Sequence, residues 1–128
     1  MTRLVVDSWA WIEYLSGSEL GKKAARAIEG DREIWVSPVS IAEVVSKYRR
    51  AGKDEAPALD AITALSKVGA VSLEDAEEAG RIHGSIKREV PNFSFADSFV
   101  LQLARKLGAR VLTGDPDFRK IKEAELID

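Results

Sequence analysis

Arg3-Leu4-Val5-Val6-Asp7-Ser8-Trp9-Ala10-Trp11-Ile12 decides how the rest of this chain is read. The opening stretch, Arg3 to Val6 with its apolar Leu4-Val5-Val6, reads as a short buried strand. Asp7-Ser8 ends it with residues that cap helices. Trp9, Trp11, Ile12 and Leu15 then form an apolar face at helical spacing until Ser16-Gly17-Ser18 breaks it. A strand, an acid and a helix in immediate succession begin a βα unit with a carboxylate at the strand's carboxyl end.

The same alternation continues along the chain. Residues 19–29 read as a second helix, stopped by Gly30, and Ile34-Trp35-Val36 as a second strand. Ser37-Pro38 starts the next helix, with Ser as N-cap and Pro at the first helical position. Ile41, Val44, Val45 and Tyr48 follow at helical spacing, and Gly52 ends it. The pattern predicts a helix over 54–67 around Leu59, Ile62 and Leu65, and a third strand over 70–73. A further helix over 74–89 carries Ala76, Ala79, Ile82 and Ile86 on one face. After the break at Pro91-Asn92, residues 95–107 read as a helix with Phe99, Val100, Leu103 and Leu107 inward, capped by Gly108. A fourth strand at 110–113, a Gly114-Asp115-Pro116-Asp117 turn, a short helix at 118–122 and a last strand at 125–127 complete the reading. Short apolar strands alternating with helices predict an α/β fold with a mostly parallel sheet of four or five strands and helices on both faces. Ligands of such sheets bind outside the carboxyl ends of the strands.

Bulk properties narrow the function classes. The 128 residues suit one domain, 1–128, with no repeat or linker. With no cysteine, a disulfide framework, a Cys-ligated zinc site and a Cys nucleophile are excluded. The N-terminal apolar run is too short for a signal peptide, and no stretch approaches the ~18 apolar residues of a membrane span, so the expected compartment is the cytoplasm and no membrane partner is expected. A net charge of −2 is not that of a protein that coats nucleic acid through bulk charge. It is compatible with an acidic pocket offset by a basic rim.

Four acids stand where the fold would gather side chains. Asp7 and Asp115 follow strands, Asp97 lies in the first turn of a helix, and Glu43 lies in the opening turns of another. Clustered carboxylates repel and need a cation, and all-oxygen ligation suits Mg²⁺ or Mn²⁺. Such an ion can activate water and orient a scissile phosphate, which is phosphodiester hydrolysis. Each acid also has an ordinary structural reading. Asp7 can cap the first helix, Asp97 can complement a helix dipole, and Asp115 and Asp117 suit a turn. Glu43 lies well off the apolar stripe of its helix and reads equally as a surface acid.

Taken together, the motifs resemble one family. Asp7-Ser8-Trp9-Ala10-Trp11-Ile12-Glu13-Tyr14-Leu15 looks like the opening of a PIN domain. Ser37-Pro38-Val39-Ser40-Ile41-Ala42-Glu43-Val44 looks like its second motif, Phe95-Ala96-Asp97-Ser98 its third, and Leu112-Thr113-Gly114-Asp115-Pro116-Asp117-Phe118 its fourth. Order and rough spacing match from Arg3 to the C-terminus. The resemblance implies a three-layer α/β/α fold and a Mg²⁺- or Mn²⁺-dependent ribonuclease. It implies that Asp7, Glu43, Asp97 and Asp115 are the catalytic, metal-binding acids, with Asp117, Thr113 and Ser8 in support. It further implies a VapC-type toxin, homodimeric, cutting RNA and neutralised by a VapB-type antitoxin.

The other polar and aromatic features carry less. Lys47, Arg49, Arg50 and Lys53 cluster at one helix end, Arg105, Lys106 and Arg110 at another, and Arg119, Lys120 and Lys122 at a third. Each cluster reads first as cations near a helix C-terminus and a solvated face. His83, the only histidine, reads as structural, and Trp9 and Trp11 as packing residues. A receiver domain would need adjacent acids after the first strand, and a haloacid-dehalogenase-type phosphotransferase would need Asp-x-Asp there. Position 8 is Ser and position 9 is Trp. Two alternatives keep the PIN fold: a binding module without nuclease activity, and a DNA nuclease, for whose helical arch this chain is short.

Overall fold

The computed structural model describes residues 2–128. The chain runs β1 (Arg3–Val6), α1 (Ser8–Ser16), α2 (Glu19–Ile28), β2 (Glu33–Val36), α3 (Pro38–Arg50), α4 (Ala56–Leu65) and β3 (Lys67–Val68). It continues with α5 (Leu73–Ile86), α6 (Phe95–Leu107), β4 (Arg110–Thr113), a 3₁₀ turn (Pro116–Phe118) and β5 (Ala124–Leu126). The five strands form one sheet in the order β3-β2-β1-β4-β5, and every pairing is parallel. The fold is the expected three-layer α/β/α arrangement.

Side-chain alternation explains the layers, since neighbours on a strand face opposite ways. Leu4 and Val6 of β1 pack on one face with Trp11, Ala24, Val44 and Ile62 from α1 to α4. Val5, between them, packs on the other face with Ile82, Val100, Leu101 and Phe118. Leu4, Val5 and Val6 are wholly buried, and removing each such side chain from water contributes about 1.5–3 kcal/mol. Right-handed crossovers account for the rest. The chain moves outward from β1 to β3 with its helices on one face. It then reverses across β1 to β4, which puts α5 and α6 on the other.

Helix ends follow their capping residues. Asp7, Ser18, Ser37, Ser72 and Ser94 each accept a backbone N–H of the helix they begin. Gly17 and Gly108 close α1 and α6 at φ of 69° and 62°, a left-handed conformation that favours glycine.

The structure corrects the third strand. The apolar stretch at 70–73 is not a strand. Lys67–Val68 pairs with β2 instead, while Val71 and Leu73 are exposed. Ser72 is the N-cap of α5 and forms a capping box with Asp75, so Leu73 is already helical. Lys67 reaches the Glu33 carboxylate at 3.2 Å and lies over the Trp35 ring at 5.8 Å. Cross-strand pairing, not apolar content, places this edge strand. The helix expected over 118–122 is the 3₁₀ turn at Pro116–Phe118, and the last strand is one residue earlier than expected. Leu65 and Ala76, which the reading sets on the apolar faces of their helices, are exposed.

Candidate metal centre

The strand order reverses at β1, so the carboxyl ends of β1 and β4 flank the topological switch point of the sheet. That is where open parallel sheets leave a crevice. A cavity of about 330 Å³ lies there. Asp7, Glu43, Asp97, Asp115 and Asp117 all line it, with Lys47 and Arg50 on the α3 side.

Each acid is set by the local fold. Asp7 follows β1, and its Oδ1 accepts the Ala10 N–H at 2.9 Å. Asp97 stands at the third position of α6, where its Oδ2 accepts the Ser94 N–H at 2.9 Å while the Ser94 hydroxyl accepts the Asp97 N–H. Asp115 follows β4, and its Oδ1 accepts the Asp117 N–H at 2.9 Å. The buried Thr113 hydroxyl accepts the Asp115 N–H at 3.0 Å and so fixes the turn that aims Asp115. Glu43 is solvent-exposed on α3 and takes a hydrogen bond from the Ser8 hydroxyl at 2.9 Å.

These acids are not equivalent. Carboxylate oxygens of Asp97, Asp115 and Asp117 lie within 4.8 Å of one another. Asp7 lies deeper, only 4% exposed, and Glu43 sits on the rim. Neither belongs to the tight trio. Burial lifts the Asp7 carboxyl to about 7. The negative charges of Asp97 and Asp115 add to the rise, and the Thr113 hydroxyl and Ala10 N–H oppose it. Burial likewise raises Asp97 to about 6, against the hydrogen bonds from Ser94 and with help from Asp115 and Glu43. Asp117 is raised by desolvation and by its neighbour Asp115. The protein therefore holds Asp7, Asp97 and Asp117 in surroundings that resist their ionisation. A cation relieves that resistance, and the donors are all hard oxygens, so the set fits Mg²⁺ or Mn²⁺ rather than a soft metal.

Trp9 forms one wall of the cavity. Its ring lies against Gly114, where a Cβ would come within 2.2 Å of it. Only glycine lets the Thr113–Asp115 turn pass this close. Trp11 is wholly buried in the core. His83 does not line this cavity and stacks on Phe95 with ring centroids 4.0 Å apart. Sequence reasoning missed the cavity's Lys47 and Arg50, which the cluster at the end of α3 contained without singling them out. It also missed Asn92 and Ser94, although Ser94-Phe95-Ala96-Asp97 carries the capping-box spacing that marks the helix start.

Residues 4–124 match the PIN domain family. The chain belongs to the PIN domain family. No curated protein matches it by sequence. Solved structures match it over nearly its whole length. The VapBC2 complex of Rickettsia felis, bound to a DNA fragment from its promoter, has a chain with a TM-score of 0.78 at 14% identity, covering 99% of this chain and 100% of that one. A toxin–antitoxin complex from Klebsiella pneumoniae gives 0.72 at 15%, with 98% of each chain covered. VapC20 of Mycobacterium tuberculosis, a toxin that cleaves the sarcin–ricin loop, gives 0.68 at 18%, covering 98% of this chain and 89% of that one. At these identities the likeness is one of fold. This PIN domain has no helix, among its described residues, long and apolar enough to cross a membrane.

Proposed function

We propose that this PIN domain is a cytoplasmic Mg²⁺- or Mn²⁺-dependent endoribonuclease, the VapC-type toxin of a pair with a VapB-type antitoxin, and that it works as a homodimer. The observation that carries the nuclease reading is the trio of Asp97, Asp115 and Asp117 carboxylates within 4.8 Å, with Asp7 buried beside it at the switch point. The toxin reading is supported by the VapBC structures that share the fold.

Asp7, Asp97 and Asp115 would hold the ion, with Asp117 beside them. When bound, Mg²⁺ or Mn²⁺ supplies positive charge against the phosphate and lowers the pKa of an attacking water. The chain's own groups do the positioning. Hydrogen bonds from Ala10, Ser94 and Asp117 N–H groups pin one oxygen of each ligand acid. Glu43, oriented by Ser8, is placed at the rim to direct a water or complete the site. Lys47 and Arg50 put cations where an incoming phosphate backbone needs them.

The test is cleavage of labelled single-stranded RNA and DNA with Mg²⁺, with Mn²⁺ and with EDTA, by wild type and by Asp7→Asn. Metal-dependent RNA products from wild type, lost in the variant, support the assignment. Equal product from both proteins refutes it, and products from DNA alone would reassign the substrate. Co-purification of a small partner encoded beside this gene tests the antitoxin.

A further inference from the structure

The acidic cavity does not end at the acids. Beside it lies a second cavity of about 180 Å³ between α1 and α3, and Ile12 and Lys47 line both. The lining of this groove is mixed in a particular way. Ile12, Leu15 and the half-buried Tyr48 ring give it apolar walls, and the side chains of Lys47 and Lys53 stand on it.

The cations at this end of α3 divide into two kinds. Arg49 pairs with Glu55 at 3.9 Å. Lys47, Arg50 and Lys53 make no ion pair among the described residues. A helix C-terminus favours cations in its last turn, but Lys53 lies beyond α3. The three unpaired cations are also the ones that line the two cavities, whereas Arg49 does not line either of them. A partly apolar groove with an aromatic ring and two amino groups along it matches a nucleotide: a base for the apolar walls and phosphates for the lysines. The cations that line the acid cavity itself, Lys47 and Arg50, both belong to α3, and Lys87 acts on Asp117 from outside the lining. A polyanion is therefore steered across α3 and over this groove.

We propose that the groove between α1 and α3 is a subsite for the base of a nucleotide beside the scissile phosphate, with Lys47 and Lys53 on its flanking phosphates. The inference rests on the ribonuclease reading and sharpens it. A base can enter a side pocket only when it is unpaired and splayed from its strand, so the substrate is single-stranded where it crosses α3.

Ala51 and Ser16 line the groove from exposed positions, so Ala51→Trp and Ser16→Trp fill it from the surface. Fluorescence anisotropy would measure binding of a short labelled single-stranded RNA, and of the same sequence in a duplex, with Ca²⁺ in place of Mg²⁺. Both Trp variants, shown by circular dichroism to be folded, should weaken single-strand binding roughly five- to hundred-fold, the range for losing one stacked base. Duplex binding should not change. Lys53→Ala should reduce the salt slope of single-strand binding by about 0.7. Wild-type affinity in the folded Trp variants, or an equal loss for single strand and duplex, overturns the subsite, as does an unchanged salt slope. Failure of the ribonuclease reading has a different signature: no metal-dependent cleavage by wild type, with the anisotropy results still deciding the groove.

Discussion

Replacing Asp7 by Asn should stabilise the metal-free protein at neutral and alkaline pH while weakening its response to metal. Asp7 is buried, and its carboxyl is raised from 3.8 to about 7. The unfolded chain releases this proton near 3.8 and the folded protein near 7. Between those values the folded state binds more protons, so stability falls as pH rises, and the penalty is complete above about 7. Each pH unit of separation corresponds to about 1.4 kcal/mol. Ionised Asp7 then costs about 4 kcal/mol at pH 8, against about 1.5–2 kcal/mol at pH 5. Asn has no charge to desolvate, and its carboxamide oxygen can still accept the Ala10 N–H that caps α1.

The measurement is thermal unfolding in EDTA at pH 5 and pH 8. Wild type should lose about 2–3 kcal/mol across that interval from Asp7 alone, roughly a 10 °C fall in Tm for a chain of this size. Asp7→Asn should lose less by that amount and melt well above wild type at pH 8. Adding Mn²⁺ should reverse the order, raising the wild-type Tm and moving the variant little. An Asp7→Asn protein that melts at or below wild type in EDTA at pH 8 would refute the claim that burial of this carboxylate opposes folding. So would a gap between the two proteins that is the same at both pH values.

Three further substitutions test other parts of the site and its scaffold. Glu43→Gln keeps an acceptor for Ser8 but removes a charge facing the acids; Mn²⁺ affinity by calorimetry should fall about 10–100-fold, with urea stability within about 0.5 kcal/mol of wild type. Gly114→Ala places a methyl 2.2 Å from the Trp9 ring; it should cost about 1–3 kcal/mol in urea unfolding, and that cost should largely vanish in a Trp9→Ala background. Gly21→Ala is harsher, because its Cβ would meet the Glu13 carbonyl oxygen at 2.0 Å and backbone cannot swing aside. Spreading α1 from α2 should cost about 3 kcal/mol or more, and an unchanged urea midpoint would show that the two helices are not held at this distance.

Much of the fold was legible because β1, β2 and β4 lie inside the sheet. A strand covered on both faces must be apolar throughout, and Leu4-Val5-Val6, Ile34-Trp35-Val36 and Val111-Leu112 are. β3 was not legible for the opposite reason. It is a two-residue edge strand, exposed and half polar, held by what Lys67 meets across from it on β2. The apolar Val71 and Leu73 drew the strand to the wrong place, although Ser72-Leu73-Glu74-Asp75 carries the capping-box spacing that marks a helix start. In the candidate site, the sequence named the acids, with Asp117 only in support of the other four, but did not tell how deep or how close together they lie. Nothing in the spacing tells that Asp117 closes to within 4.8 Å of Asp97 and Asp115 while Asp7 sits deeper and Glu43 stays at the rim. Those differences come from how α6, β4 and the 3₁₀ turn meet in space.

The ordinary and the chemical readings of these acids turn out to describe the same geometry. Asp7 does cap α1, Asp97 does stand in the first turn of α6, where it accepts the Ser94 N–H, and Asp115 does cap the 3₁₀ turn. Each role uses one carboxylate oxygen and directs it at a helix N-terminus, where partial positive charge favours the ionised form. Asp97 and Asp115 each accept a backbone N–H on one oxygen alone. A cap of this kind fixes an acid's position more firmly than side-chain packing does, because the backbone N–H it grips cannot rotate away. Three elements starting at one end of a parallel sheet thus bring three half-capped acids together. Burial, with the repulsion among the acids added to it, still outweighs what these hydrogen bonds offset, as the raised Asp7 and Asp97 show. The capping that makes each acid look structural in the sequence is therefore also what aims the pocket at a cation.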